Sequence, residues 1–216
     1  MKKIAVILSG SGVFDGSEIH ESVLALHAIE KFGASWHCFA PDIDQLNVIN
    51  HQTGDEMDEK RNVLVEAARI ARGDIEDVAK LNVADYDALL LPGGFGAAKN
   101  LTDFAVNGTQ CSIDSHVASA CQAFAQAKKP AGYLCITPIL IPLIYPNGVK
   151  GTIGNDPKTA DAFEQLGGQH VACHVEDVVF DSEHLVLSTP AYMLAQSITE
   201  AANGIDKLVS RLIELA

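Results

Sequence analysis

Apolar and polar positions alternate along this chain in two periods, and the periods themselves alternate. Ile4 to Leu8 is an unbroken apolar run short enough to be a buried strand, and a Gly/Ser loop follows it to Ser17. From about Glu18 to Phe32 the period becomes helical, with Ile19, Val23 and Leu26 on one stripe and Gly33 as the stop. Ser35 to Ala40 reads as a second strand, ended by Pro41-Asp42. The polar stretch through Lys60 reads as an inserted loop, and Asn62 to Arg72 as an amphipathic helix closed by Gly73. Asp87 to Leu91 is a third buried strand running into Pro92-Gly93-Gly94-Phe95-Gly96, and Ile113 to Lys128 a helix. Pro130 resets the chain for the apolar run Ala131-Gly132-Tyr133-Leu134, which ends on Cys135. Asp156-Pro157 is an N-cap and N1 pair for a helix to Leu166, stopped by Gly167. Two β-rich runs follow, His170 to Phe180 and His184 to Ser188. Thr189-Pro190 then caps a terminal helical region that Asn203-Gly204 divides in two.

Strand and helix alternating from end to end predict an α/β protein: a three-layer α/β/α sandwich with a mostly parallel sheet covered on both faces. At 216 residues the chain fits one such domain, residues 1–216, and is short for two. A formal net charge of −13 argues against nucleic acid or an anionic membrane surface as partner. No run of about 18 apolar residues is present to span a membrane. Met1-Lys2-Lys3-Ile4 runs straight into the first strand without a signal-like segment. The five cysteines are scattered and form no CxxC pair, which suits free thiols in a reducing cytoplasm better than a disulfide framework or a zinc site. We therefore expect a cytoplasmic protein without a metal.

In such sheets ligands bind beyond the C-terminal strand ends, where Cys135, the loop after Leu8 and the Gly93-Gly94 loop all fall. A strand that ends on Cys and turns at once into Ile136-Thr137-Pro138 and a helix is a nucleophile elbow. There the helix dipole and free backbone N–H groups are expected to lower the thiol pKa. A buried, inert core cysteine is the alternative. The glycines of Pro92 to Gly96 let backbone N–H groups approach a substrate, and with the N–H of Ile136 they could form an oxyanion hole. The same glycines also suit a plain strand-to-helix turn. In the first helix, Asp15-x-x-Glu18 reads as a capping box. Glu21 instead shares a side with Leu24, Ala25, Ala28 and Phe32, which turns it toward protein and makes it an acid/base partner for the thiol. Removing its charge, as in Glu21→Gln, is expected to raise the Cys135 pKa or slow its alkylation. His170 and His174 lie in a strand-like run, too far apart to share a metal. Ser9-Gly10-Ser11-Gly12 misses the dinucleotide spacing. Phe95 and the run Ile136 to Ile144 point to a tight, apolar substrate pocket.

Pro92-Gly93-Gly94, Asn100-Leu101, Cys135-Ile136-Thr137-Pro138 and the spacing from Glu21 to Gly33 resemble the ThiJ/PfpI superfamily, with its flavodoxin-like, class I glutamine amidotransferase-like fold. Leu8 to Gly16 with Glu18-Ile19-His20-Glu21, Arg61-Asn62-Val63-Leu64, Ala68 to Gly73 and Pro92 to Leu101 resemble its ElbB branch, the glyoxalases of the enhancing-lycopene-biosynthesis type. The resemblance covers essentially the whole chain. It implies Cys135 as nucleophile, Glu21 as its partner carboxyl, and Gly94 and Ile136 as oxyanion donors, with Gly93 and Phe95 at the substrate. It also implies a cofactor-free glyoxalase or deglycase acting on a small dicarbonyl such as glyoxal, usually as a homodimer. Two positions depart from the pattern. Ile136 stands where the family often has His or Ala, and Asn155-Asp156-Pro157 stands where relatives supply a downstream His. A redox-sensing or partner-binding protein built on Cys135, and a glutaminase-like hydrolase, remain the alternatives. For the latter, His174-Val175-Glu176 has the right residue types, but in the wrong place.

Overall fold

The computed structural model describes residues 1–216. The strands are β1 (Lys3–Ile7), β2 (Ser35–Ala40), β3 (Val48–Ile49), β4 (Glu56–Met57), β5 (Ile75–Asp77), β6 (Ala88–Leu91), β7 (Ala131–Leu134), β8 (Lys150–Gly151), β9 (Gln169–His170), β10 (Val179–Asp181) and β11 (Val186–Thr189). The α-helices are α1 (Ile19–Lys31), α2 (Val63–Ile70), α3 (Phe104–Asn107), α4 (Ser115–Gln126), α5 (Ile141–Ile144), α6 (Pro157–Gln165) and α7 (Ile198–Leu215). Seven strands form one sheet in the order β10-β11-β7-β6-β1-β2-β5, parallel throughout except for β10. Two small two-stranded sheets, β3-β4 and β8-β9, lie outside it.

Strand alternation builds the three layers. Ile4 and Val6 of β1 with Ala88 and Leu90 of β6 pack on one face, against Ala25 and Ile29 of α1, Val63 and Ala67 of α2, and Leu208 and Leu212 of α7. Ala5, Ile7, Leu89, Leu91 and Tyr133 face the other side, against Val117 and Phe124 of α4, Ile141 of α5 and Phe163 of α6. The α/β/α sandwich expected from the sequence is thus the fold of the protein.

Several elements differ from expectation. On α1 the buried face is Glu21, Ser22, Ala25, Leu26, Ala28 and Ile29, while Ile19 and Val23 are exposed, so the apolar stripe read from the sequence was rotated. Glu18 itself is the N-cap, its carboxylate accepting from the Glu21 N–H at 2.6 Å. Asp15, expected to open a capping box, accepts from the Ile49 N–H at 2.8 Å instead. The stretch expected to be an inserted loop contains the β3-β4 hairpin. β5 is an added edge strand, and its half-exposed Ile75-Glu76-Asp77 has too few apolar positions to announce it. The run His170 to Phe180 is not one strand. Its start pairs with β8 and its end with β11. Thr189 closes β11, and Ser197, not Thr189-Pro190, caps α7. Nor does Asn203-Gly204 divide α7. A Cβ at Gly204 would sit 2.6 Å from Val175 O and 3.0 Å from Thr189 Oγ1, so that glycine permits close packing inside a continuous helix.

Candidate active site

Four neighbouring strands, β11, β7, β6 and β1, send their C-terminal loops to one place. They deliver Tyr192, Cys135, Gly94 with Phe95, and Val13 with Glu18 to the wall of a cavity of about 320 Å³; Ile136, Thr159 and Met193 complete it.

Cys135 stands at the end of β7 with φ of +62°, a left-handed conformation that an ordinary residue adopts at a cost of about 1–3 kcal/mol. Neighbouring contacts hold it there. Its N–H donates to Thr189 O at 3.0 Å, and the buried Thr137 hydroxyl is shared between Leu134 O at 2.7 Å and Leu91 O at 3.0 Å. The elbow read from the sequence is present, and it aims the sulfur at the N–H groups of Gly94 and Ile136, both of which donate to it.

Glu21 is fully buried beneath the thiol and hydrogen-bonds to it. Its carboxylate accepts from the Gly93 N–H at 2.8 Å and the Tyr192 N–H at 3.0 Å. Burial, only partly opposed by those N–H groups and helped by the charge of Glu18, pushes its pKa from 4.5 up to about 7. Burial and the Glu21 charge likewise push the Cys135 thiol well above its ordinary value, against the pull of the Gly94 and Ile136 amides. The expected lowering of the thiol pKa is therefore overturned. The elbow is followed not by a long helix but by a 3₁₀ turn over Thr137–Leu140 and the four-residue α5, so little dipole offsets desolvation. The pair is coupled, and above about pH 7 its one negative charge rests on Glu21 while the thiol keeps its proton. Its thiolate arises by handing a proton to Glu21, and removing the Glu21 charge should ease ionisation of the thiol, the opposite of the effect expected from sequence.

The glycines are there for close approach. A Cβ on Gly93 would overlap Cys135 Cβ and lie 2.6 Å from Glu21 Oε2, while Gly94 adopts φ of +101° with Gly16 O and the Glu18 N–H directly in the way. The loop after β1 is clamped from the other side. Buried Asn100 donates to Ser9 O and Asp15 O, each at 2.9 Å, and accepts from the Leu46 N–H at 3.0 Å. Lys99 Nζ donates to Phe14 O at 2.7 Å.

The structure brings Cys135, Glu21, Gly94, Ile136 and Phe95 together. Gly93 lies behind the pair, not on the cavity wall, so its part is to hold Glu21 rather than substrate. Of the apolar run Ile136 to Ile144 only Ile136 reaches the cavity; Ile139, Leu140 and Ile141 are buried in the core, so the pocket is roomier than expected. No histidine lines it. His174 and Glu176 lie off the cavity wall, the Glu176 carboxylate accepting from Asn203 of α7 at 2.7 Å. Sequence reasoning missed Tyr192, Thr159 and Met193, which follow β11 or open α6 and carry no motif.

No family model matches the chain. It is 41% identical over 223 residues to the mitochondrial ES1 protein homolog of Rattus norvegicus, covering 99% of this chain and 84% of that protein. It is also 41% identical over 223 residues to the mitochondrial glutamine amidotransferase-like class 1 domain-containing protein 3 of Homo sapiens, covering 99% and 83%. The crystal structure of an isoprenoid biosynthesis protein with an amidotransferase-like domain from Ehrlichia chaffeensis superposes with a TM-score of 0.92 at 35% identity, covering 99% of this chain and 100% of that one. A DJ-1 superfamily protein of Salmonella typhimurium shares the fold, with a TM-score of 0.63 at 18% identity over 99% and 91% of the two chains. Both curated relatives are named mitochondrial, which overturns the cytoplasmic expectation. Free thiols report a reducing compartment without saying which one.

Proposed function

Because the chain belongs to the family of the ES1 proteins and glutamine amidotransferase-like class 1 domain-containing protein 3, and places a thiol on a buried carboxyl, we propose that it is a cofactor-independent glyoxalase of the ElbB type, converting glyoxal to glycolate. One observation carries this reading: the hydrogen-bonded Cys135–Glu21 pair, with the Gly94 and Ile136 N–H groups aimed at the sulfur.

In the proposed reaction Glu21 takes the thiol proton as sulfur attacks one aldehyde carbon. A C–S bond forms, the carbonyl electron pair moves to oxygen beside the Gly94 and Ile136 amides, and that oxygen takes the proton back to give a hemithioacetal. Glu21 then removes the hydrogen on that carbon and returns it to the second carbon, while the first oxygen loses its hydroxyl proton and the second oxygen gains one. This leaves a glycolyl thioester that water cleaves to glycolate and free thiol. A carboxyl with a pKa of about 7 suits both giving and taking a proton near neutrality. Glyoxal and water supply every atom and electron, and no nicotinamide takes part. Burial and a raised pKa make Cys135 a poor oxidation sensor, and without a histidine at the thiol a glutaminase-like reading has no base of the usual kind. A homodimer is part of the proposal, to be read by light scattering.

The test is glyoxal consumption without glutathione, followed by NMR. Many glycolates per thiol are expected from the wild type and none from Cys135→Ala. A single equivalent of glyoxal consumed per thiol would point to a trapped adduct and against catalysis.

A further inference from the structure

The proposed reaction leaves one chemical requirement unmet. When the carbon-bound hydrogen passes to Glu21, the electron pair it leaves is drawn onto the second carbonyl oxygen, which then requires a proton. Glu21 is engaged at that moment, and the Gly94 and Ile136 amides serve the first oxygen.

The loop after β11 carries a group placed for this task. Tyr192 lines the cavity, and its main-chain N–H holds Glu21 Oε1 at 3.0 Å. Its phenol oxygen lies 2.9 Å from His20 Nδ1 on the first turn of α1. The His20 side chain is 51% exposed, so the hydroxyl of this cavity-lining residue is tied to a group that meets solvent. Glu18, also on the wall, is committed to capping α1 with one oxygen and has the other 4.0 Å from the same imidazole nitrogen.

We propose that the Tyr192 hydroxyl is the general acid for the second substrate oxygen, and that His20 is the positioning residue that orients it and links it to solvent. The inference rests on the glyoxalase reading. Tyr192 gives its proton to the second oxygen as Glu21 takes the carbon-bound hydrogen, forming an enediol on sulfur. Glu21 then protonates the second carbon, the first oxygen's hydroxyl proton returns to the Tyr192 oxygen, and the thioester results with both groups restored.

The experiment compares wild type, Tyr192→Phe and His20→Ala by glyoxal turnover and by the rate at which iodoacetamide alkylates Cys135. Tyr192→Phe keeps the ring and the N–H to Glu21. It should lower kcat about 100-fold, within the usual range for a lost general acid, with KM and alkylation little changed. His20→Ala should lower kcat less and recover with added imidazole, which can enter the exposed His20 position. A Tyr192→Phe enzyme as fast as wild type, or one whose alkylation falls in step with kcat, overturns the proposal for Tyr192. A His20→Ala loss that imidazole does not restore overturns the role of His20. Wild type that alkylates normally but never turns over glyoxal overturns the glyoxalase reading itself, and this inference with it.

Discussion

Replacing Glu21 by Gln should make the stability difference between variant and wild type depend on pH. Folding takes this carboxyl from an ordinary 4.5 to about 7, so between those values the native state holds a proton that the unfolded chain has released. Stability contributed by the neutral carboxyl is fully present below pH 4.5 and is lost as pH rises through 7. At about 1.4 kcal/mol per pH unit the loss comes to about 3 kcal/mol. Glutamine never ionises and escapes this loss, but it has one acceptor oxygen for the two N–H groups of Gly93 and Tyr192. Leaving one buried N–H unpaired costs about 1–3 kcal/mol at every pH. Glu21→Gln is therefore expected to be the less stable protein at pH 5 and to draw level with or pass wild type by pH 8. Urea unfolding of both at pH 5, 6, 7 and 8 measures this, since titrating groups that do not touch Glu21 cancel in the difference. A gap that stays constant across the series would mean that Glu21 is ionised throughout and would refute the raised pKa.

The same substitution removes the charge that opposes thiol ionisation, so above pH 7 Cys135 of Glu21→Gln should be alkylated several-fold faster than in wild type, read by peptide mass spectrometry. Asn100→Ala strips the loop after β1 of two buried hydrogen bonds and Leu46 of a third; a fall of about 3 kcal/mol in urea denaturation is expected, with turnover reduced because Val13 and Glu18 lose their frame. A cavity of about 320 Å³ has room for an added methyl, so kcat/KM for methylglyoxal should lie within about tenfold of that for glyoxal, the low end of what one methyl can discriminate.

The buried runs of β1, β6 and β7 were legible because four or more apolar residues in a row have few other uses, and they located the strand ends that build the site. The Cys135 turn was legible for the same reason. Glu21 could be placed facing protein because Ala25 and Ala28 share its side of α1, even though the apolar stripe itself was misjudged. What could not be read was set by contacts distant in sequence. Tyr192 reaches Glu21 across 171 residues, and Asn100 ties down residues 85 and 91 positions earlier. The sign of the Cys135 pKa shift depended on the depth of burial and on how short the following helix is, and no local motif encodes either.

In the proposed mechanism Cys135 and Glu21 together carry a glyoxal carbon from hemithioacetal to thioester. Quenching a single turnover with excess hydroxylamine turns the thioester, and no other species, into glycolohydroxamate, which is quantified against protein chains. Wild type should yield hydroxamate approaching one per Cys135 at early times, and Cys135→Ala and Glu21→Gln should yield none. Glycolate formed by wild type without any hydroxamate, or hydroxamate persisting in Glu21→Gln, would contradict the claim.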